Sequence, residues 1–311
     1  MNLNMGHLKA LRELARLGTM VAVAEELGYT PGAVSQQIAA LEKTVGAALI
    51  TKMGRNVVLT DAGVVLAEHA DVVLRAERAA IDAVLSVNDD VAAPVLLGAF
   101  GSTAGILLPE VVSSAETHYP RMRLSSCELD VDDALDAVAH GRVDLAFGID
   151  YPDHPLPRIP GIEILTLREE HFGLAVSKGS YGIRAETTID LRDAADWPWI
   201  LAPANTHYGL AIRIACRQNG FEPRAAHEIV DTAVTLTLAG RGLGVAPVTD
   251  MMLGLSPSAP IVRVHLEQEI IRRVVLIRPA GATTRPTIRA MTEIIRAGFD
   301  PDANPALARR T

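Results

Sequence analysis

The tightest constraint on this chain is a twenty-residue run, Met20–Ala39, in which two short helical patterns are separated by almost nothing. Met20–Leu27 is a short helical run that stops at Gly28, a residue able to take the positive φ that a sharp helix end requires. Thr30-Pro31 then offers a side-chain cap followed by proline at the first helical position, and Val34, Ile38 and Leu41 continue at helical spacing. Ala24 is small where two helices must cross closely, and Leu27 and Val34 can face a shared core. The run reads as a helix-turn-helix. Met5, Leu8, Leu11, Leu14 and Leu17 mark an earlier helix that ends at Gly18. A Gly54-Arg55-Asn56 turn inside Leu49–Leu59 marks a later hairpin.

The second helix of the pair carries Pro31, Gly32, Ala33, Ser35, Gln36 and Gln37 on its N-terminal side. Short and amide side chains there suit a helix entering a DNA major groove, where glutamine pairs with adenine, serine reads either edge and alanine meets a thymine methyl. A helical hairpin with a polar face fits the same description, so these residues alone leave both readings open. Charge distribution bears on the choice. The 311-residue chain carries a net charge of −8, yet residues 1–60 hold 6 basic and 4 acidic side chains and lean basic, whereas 61–90 and the remainder of the chain are each net acidic.

Asp61 to Val87 reads as one long helix, with Leu66, Val73, Ala80, Ile81 and Val84 among its apolar positions. It is too apolar to stand alone in water. It is expected to pair with a second copy, with packing on its own C-terminal region as the alternative. A break at Asn88–Pro94 follows. Strands are then expected at Pro94–Phe100, Arg121–Leu129 and Val143–Ile149, with helices at Thr103–His118 and Val131–His140 between them. That alternation implies a parallel sheet with right-handed crossovers. After a break rich in proline (Pro152, Pro155, Pro157, Pro160) it resumes. Strands near Ile164, Leu174, Ile200 and Val245 interleave with helices at Tyr208–Asn219 and Asp231–Gly240. Strands at Ile261–Val264 and Ile270–Ile277 and a helix at Arg285–Gly298 close the pattern. The expected fold class is α/β with an N-terminal, all-α winged helix-turn-helix, and the α/β part forms two lobes around a cleft.

Candidate ligand contacts lie where strands meet helices. Ser102 and Thr103 follow the first strand, Asn205, Thr206 and His207 precede a helix, Asp150 ends the third strand, and Asp231-Thr232 opens another helix. Two helix N-termini facing one cleft would favour a carboxylate, whereas the aspartates would suit an amino group. Asp132-Asp133 also begins a helix, and the helix dipole is a sufficient reason for both.

The N-terminal run resembles the DNA-binding domain of the LysR-type transcriptional regulators. Beyond the helix-turn-helix, the resemblance includes Leu41-Glu42, Gly46, the wing Lys52-Met53-Gly54-Arg55, and Leu59-Thr60-Asp61-Ala62-Gly63 entering the long helix. Ile50, Lys52 and Gly32 depart from the usual phenylalanine, arginine and proline of that pattern, which bears on the target sequence. The resemblance implies three parts: a DNA-binding domain at 1–60, a dimerisation helix at 61–88, and an effector-binding domain like a periplasmic binding protein at 92–300. It implies that Pro31, Gly32, Ala33, Ser35, Gln36 and Gln37 read bases, that Thr30 caps the helix and meets a phosphate, and that Lys52 and Arg55 approach the backbone or minor groove. The implied partners are double-stranded DNA with an inverted-repeat operator, a small-molecule effector and further copies of the chain, with RNA polymerase left open.

Other classes find little in the sequence. Gly240–Gly244 follows a helix and precedes a strand, the reverse of a dinucleotide fingerprint, and there is no G-x-S-x-G or Walker loop. The nine histidines are scattered without metal-ligand spacing, and His69 reads as a seam or surface residue. No catalytic residue, cofactor or metal is expected. Cys127 and Cys216 fall in different lobes and read as buried and inert, although a redox-sensing regulator acting through them is an alternative. A small-molecule-binding protein using its helix-turn-helix as a docking module is another. A nucleoid-type protein would need a more basic chain. Val91–Pro109 is uncharged for 19 residues, but Pro94, Gly98, Gly101 and Gly105 interrupt it, so a strand, turn and helix are expected rather than a membrane span. The N-terminus has no apolar core of signal-peptide type, and a soluble, cytoplasmic protein is expected.

Overall fold

Each of the first three helices begins at a side-chain cap and ends at a left-handed glycine. In the computed structural model, which describes residues 2–53, 56–85, 91, 93–183, 187–281 and 285–299, these are α1 (Met5–Leu17), α2 (Met20–Leu27) and α3 (Pro31–Val45). Asn4, Thr19 and Thr30 accept from the main-chain N–H groups of His7, Ala22 and Ala33, each at 3.2 Å. Gly28 adopts φ +68°, as its place in the turn demands. Strands β1 (Ile50–Met53) and β2 (Asn56–Leu59) pair antiparallel and lead into α4 (Asp61–Leu85). Leu8, Leu11, Val23, Val34, Ile38 and Leu41 form the buried centre of this unit, joined by Ala67 and Ala70 of α4. Residues 1–87 make one compact unit and 88–311 another.

In the second unit the first lobe contains β3 (Pro94–Ala99), α5 (Gly101–Ile106), α6 (Leu108–His118), β4 (Arg123–Glu128), α7 (Ala134–Ala139), β5 (Leu145–Asp150) and β6 (Ile162–His171). The chain then enters the second lobe: β7 (Gly173–Ser177), β8 (Thr188–Ile189), β9 (Trp199–Leu201), α8 (His207–Gln218), β10 (Ala225–Glu228), α9 (Thr232–Gly240), β11 (Ala246–Val248), α10 (Asp250–Leu253) and β12 (Ile261–Leu266). It returns through β13 (Ile271–Pro279) and α11 (Pro286–Gly298) to the first.

The sheets are mixed, which corrects the parallel expectation. The first lobe has the order β4-β3-β5-β13-β6. Its β4, β3 and β5 are parallel, and β13 runs antiparallel to both neighbours. Strand β13 arrives directly from the other lobe, without a helical crossover over this sheet, so nothing forces it into the parallel sense. In the second lobe β7 is antiparallel to β11 and β12, while β9 and β10 form a parallel pair.

Two expected helices are also divided. Thr103–His118 breaks at Leu107, because Pro109 lacks the N–H a continuous helix would need and its ring would press on the preceding turn. Val131–His140 becomes a tight 3-10 turn over Val131–Asp133 followed by α7.

A single buried cluster runs through both lobes, from Val95, Leu97 and Phe147 to Leu174, Trp199 and Ile200. A second, under α7, covers the other face of the first sheet with Ala137, Val138, Val143 and Ile277. Where the chain passes between lobes, the Phe172 N–H donates to the Ile270 carbonyl at 2.9 Å and ties the outgoing and returning strands together. Among the described residues, no helix is long and apolar enough to cross a membrane.

Candidate nucleic-acid interface and interlobe contacts

Helix α3 is locked from below and open above. Val34, Ile38 and Leu41 are fully buried, while Pro31, Gly32, Ser35 and Gln36 are exposed. Ala33 and Gln37 are half-buried, and the Gln37 Oε1 atom is buried without a hydrogen-bond partner. The reading of Gln37 as part of the open polar face is therefore corrected: it lies at the flank of the helix, where only part of its amide is free. Thr30 caps α3 and is itself exposed. Tyr29, immediately before it, is 51% exposed and was missed in the sequence, although an aromatic residue in a turn with no core to fill is a usable signal. Lys52 lies on β1, and Arg55 falls outside the described residues.

The hairpin is fixed to α3 through Glu42, whose Oε1 accepts the Leu49 and Ile50 N–H groups at 2.8 and 3.2 Å. Thr60 closes the other side. Its hydroxyl donates to the Ala48 carbonyl at 2.7 Å and accepts from Gly63 N–H at 3.1 Å at the start of α4. Beneath the helices, Arg12 and Arg16 grip the buried carboxylate of Glu13 at 2.6 and 2.8 Å. Burial raises the pKa of Glu13, but the hydrogen bonds from Arg16 and Arg12 outweigh it and hold the group below its ordinary value.

In the second unit several expected ligand contacts turn out to serve the main chain. The Thr103 side chain is fully buried, donating to the Phe100 carbonyl at 2.9 Å and accepting from Phe100 N–H at 3.1 Å. The Thr206 hydroxyl likewise donates to Pro203 O at 2.7 Å and accepts from Gly209 N–H at 3.0 Å, capping α8. Asp150 is buried and accepts the Leu156 N–H at 2.7 Å. Ser102 is buried, Asn205 is exposed, and Thr232 is half-buried behind Asp231, which caps α9 through Val234 N–H at 2.7 Å.

The expectation of an open anion seat at α8 is corrected most clearly. Its first N–H, on His207, is already taken by the Asp132 carboxylate, at 3.1 and 3.2 Å from the two oxygens. Asp132 therefore does more than begin its own helix. Asp130 performs that capping, accepting the Asp132 N–H at 3.0 Å. The His207 ring packs against Tyr151 and His154, with centroids 5.2 and 4.4 Å away. Burial and the neighbouring His154 hold the pKa of His207 below its usual value, against the pull of Asp132 and Asp150. Burial also pushes the Tyr151 and Tyr208 phenols far up, and Tyr208 donates to the Pro247 carbonyl at 2.8 Å. The structure thus gathers His207 and Asp150 with Asp132, Tyr151 and His154, three residues the sequence did not single out as contacts.

Two family models divide the sequence along the same lines. The model described as "Bacterial regulatory helix-turn-helix protein, lysR family" matches residues 5–64, and the LysR substrate binding domain matches residues 88–300. The chain belongs to the LysR family. It is a LysR-type transcriptional regulator with a DNA-binding helix-turn-helix and an effector-binding domain.

This LysR-type regulator is similar to the HTH-type transcriptional regulator ShiR of Corynebacterium glutamicum (strain R). The two are 27% identical over 267 residues, covering 82% of this chain and 87% of ShiR. Among solved structures, a full-length OxyR variant from Pseudomonas aeruginosa superposes with a TM-score of 0.69 at 18% identity, covering 96% of this chain and 95% of that one. Full-length CbnR complexed with its target DNA superposes at 0.55 and 22% identity, covering 96% and 100%. At these identities the two structures establish the shared fold. Among the described residues, no group of three or more His, Cys, Asp or Glu side chains is placed to hold a metal ion.

Proposed function

We propose that this regulator reads an inverted-repeat operator through the exposed face of α3, with two copies joined along α4. One observation carries the reading. Pro31, Gly32, Ser35 and Gln36 stand open on a helix whose opposite side is locked into the core by Val34, Ile38 and Leu41. A recognition surface has to be rigid as well as accessible, and this one is both. Gln36 and Ser35 read base edges, Thr30 and Tyr29 meet the phosphate backbone beside them, and Lys52 and Arg55 of the wing add charge there. One domain has only 6 basic residues to neutralise phosphates, so two domains on two half-sites supply the affinity that one lacks.

The effector is a small molecule held where the two lobes meet, beside His207, Asp150 and Asn205. A carboxylate ligand would reach the α8 N-terminus only by displacing Asp132. Ligand binding favours one lobe arrangement and so changes the spacing of the paired DNA-binding domains, the bend of the DNA and the access of RNA polymerase. The protein acts in the cytoplasm, and no catalytic step belongs to this reading.

The test is a DNase footprint of the full chain on the DNA flanking its own gene. Two protected half-sites in inverted repeat, spaced by whole helical turns, are expected. Gln36→Ala should relax discrimination at one base position by about 1–3 kcal/mol, and Arg55→Ala should weaken all sequences alike and flatten the salt dependence. Equal losses on operator and random duplex for both variants would overturn this division of roles. No protection at moderate salt would overturn operator recognition itself.

A further inference from the structure

His207 is one of the residues through which the two lobes hold each other. It opens α8 in the second lobe, and both its main chain and its ring are engaged by the first. The carboxylate of Asp132, in the turn after β4, accepts its N–H across a separation of 75 residues. Tyr151 and His154, just beyond β5, enclose its imidazole at tilts of 56° and 39°. The His207 Nε2 atom is buried between them with no hydrogen-bond partner.

We propose that Asp132 and the His154–His207–Tyr151 stack form an intramolecular latch that holds the lobes together without ligand, and that acid releases it. The inference rests on the two-lobed architecture and not on the identity of an effector. A carboxylate on the first N–H of a helix makes a charge-assisted bond aligned with the helix dipole, roughly twice as strong as a neutral one. The contact is made between lobes, so its strength is lost when they part.

Acid sensitivity follows from the ring pair. His207 faces His154 and Tyr151 from the segment after β5, Asp150 from the end of β5, and Asp132 from the turn after β4. On its own helix the neighbouring Tyr208 is already bonded to Pro247. A proton on His207 would put a cation in a half-buried pocket, 4.4 Å from the His154 ring, centre to centre. The latched state therefore favours neutral His207, in line with the lowered pKa that burial and His154 impose. The sign follows: the latch is closed above the ordinary histidine range and weakens as pH falls below it.

The test is hydrogen–deuterium exchange on the full-length protein without ligand, comparing wild type, Asp132→Ala and Asp132→Asn. Asp132→Ala should speed exchange about ten- to a hundredfold in residues 206–210 and also in residues 151–156 of the other lobe. Asp132→Asn, which keeps an acceptor but no charge, should fall between. Should the alanine variant fail to fold, the asparagine variant carries the comparison. After correction for intrinsic rates, wild type at pH 5.5 should show the same two-lobe pattern relative to pH 7.5, and His154→Gln should remove that pH dependence. A change confined to residues 206–210, or none, would make Asp132 a local helix cap and overturn the latch. An unchanged pH response in His154→Gln would overturn its acid sensitivity.

Discussion

Arg272 Nη2 lies 2.7 Å from Glu170 Oε2, and the two side chains, opposite each other on β13 and β6, are almost wholly buried where the chain passes between lobes. The carboxylate also accepts the Thr249 hydroxyl at 3.2 Å and the Met251 N–H at 3.3 Å, so one acid of the first lobe is bonded by the start of α10 in the second. The guanidinium lies over the Phe172 ring at 5.8 Å. Breaking such a pair leaves one uncompensated buried charge. Glu170→Gln or Arg272→Met should each destabilise the effector-binding unit by about 3–5 kcal/mol, and the Glu170→Met/Arg272→Met double variant should recover most of the loss. Urea unfolding of the full chain is the measurement, and equal losses in single and double variants would contradict it.

Gly63 and Gly32 should respond oppositely to alanine. A Cβ on Gly63 would clash with the Leu49 carbonyl oxygen, a main-chain atom that cannot step aside. Gly63→Ala is expected to cost about 1–3 kcal/mol and to loosen the hairpin against α4. At Gly32 the nearest atom to a Cβ is Thr30 Oγ1, at 4.0 Å. Alanine there should add about 0.5–1 kcal/mol through helix propensity while altering base preference. Thermal melts and operator competition read both effects.

On α4, Val65, Val72 and Val84 are 55%, 58% and 72% exposed, an apolar surface left uncovered by the rest of its own unit. Val72→Glu should leave the fold within about 0.5 kcal/mol of wild type but reduce self-association, as read by sedimentation equilibrium. Unchanged oligomeric state in this variant would place assembly elsewhere.

Because Glu13 is held below its ordinary pKa in the folded state, its contribution is present above the unfolded value near 4.5 and is lost as pH falls through the folded one. Glu13→Gln should therefore lower stability by about 1–3 kcal/mol at pH 7, and the gap to wild type should narrow as pH falls below the ordinary glutamate range. A gap independent of pH would point to packing instead of charge.

Burial opposes ionisation of both thiols, Cys216 being buried and Cys127 half-buried. Burial pushes Cys216 up to about 12 and raises Cys127 against the pull of Arg142. At neutral pH the Cys216 thiolate fraction is on the order of one in ten thousand or less. Iodoacetamide should label Cys216 only after denaturation, and peroxide should leave operator binding unchanged. Mass spectrometry of treated protein, with a footprint alongside, decides this.

The N-terminal helices could be read from the sequence because their determinants are local. Thr30 caps a helix three residues on, Gly28 ends one with its own backbone, and Val34, Ile38 and Leu41 share a face through helical spacing. The α/β alternation was legible for the same reason. What tertiary structure decided lies between residues far apart in the chain. The direction of β13 depends on which lobe the chain has just left. The buried acid–base pair joins residues 170 and 272, the need for glycine at 63 comes from the carbonyl of Leu49, and the Thr103 and Thr206 hydroxyls proved to be bonded to their own main chain. Asp132 illustrates the limit best. Its neighbours Asp130 and Asp133 make it look like one more acid at a helix start, and only the fold brings it to the amide of His207. Periodicity and caps are short-range signals carried by the sequence. A polar side chain's partner is set by which distant surface packing brings within reach.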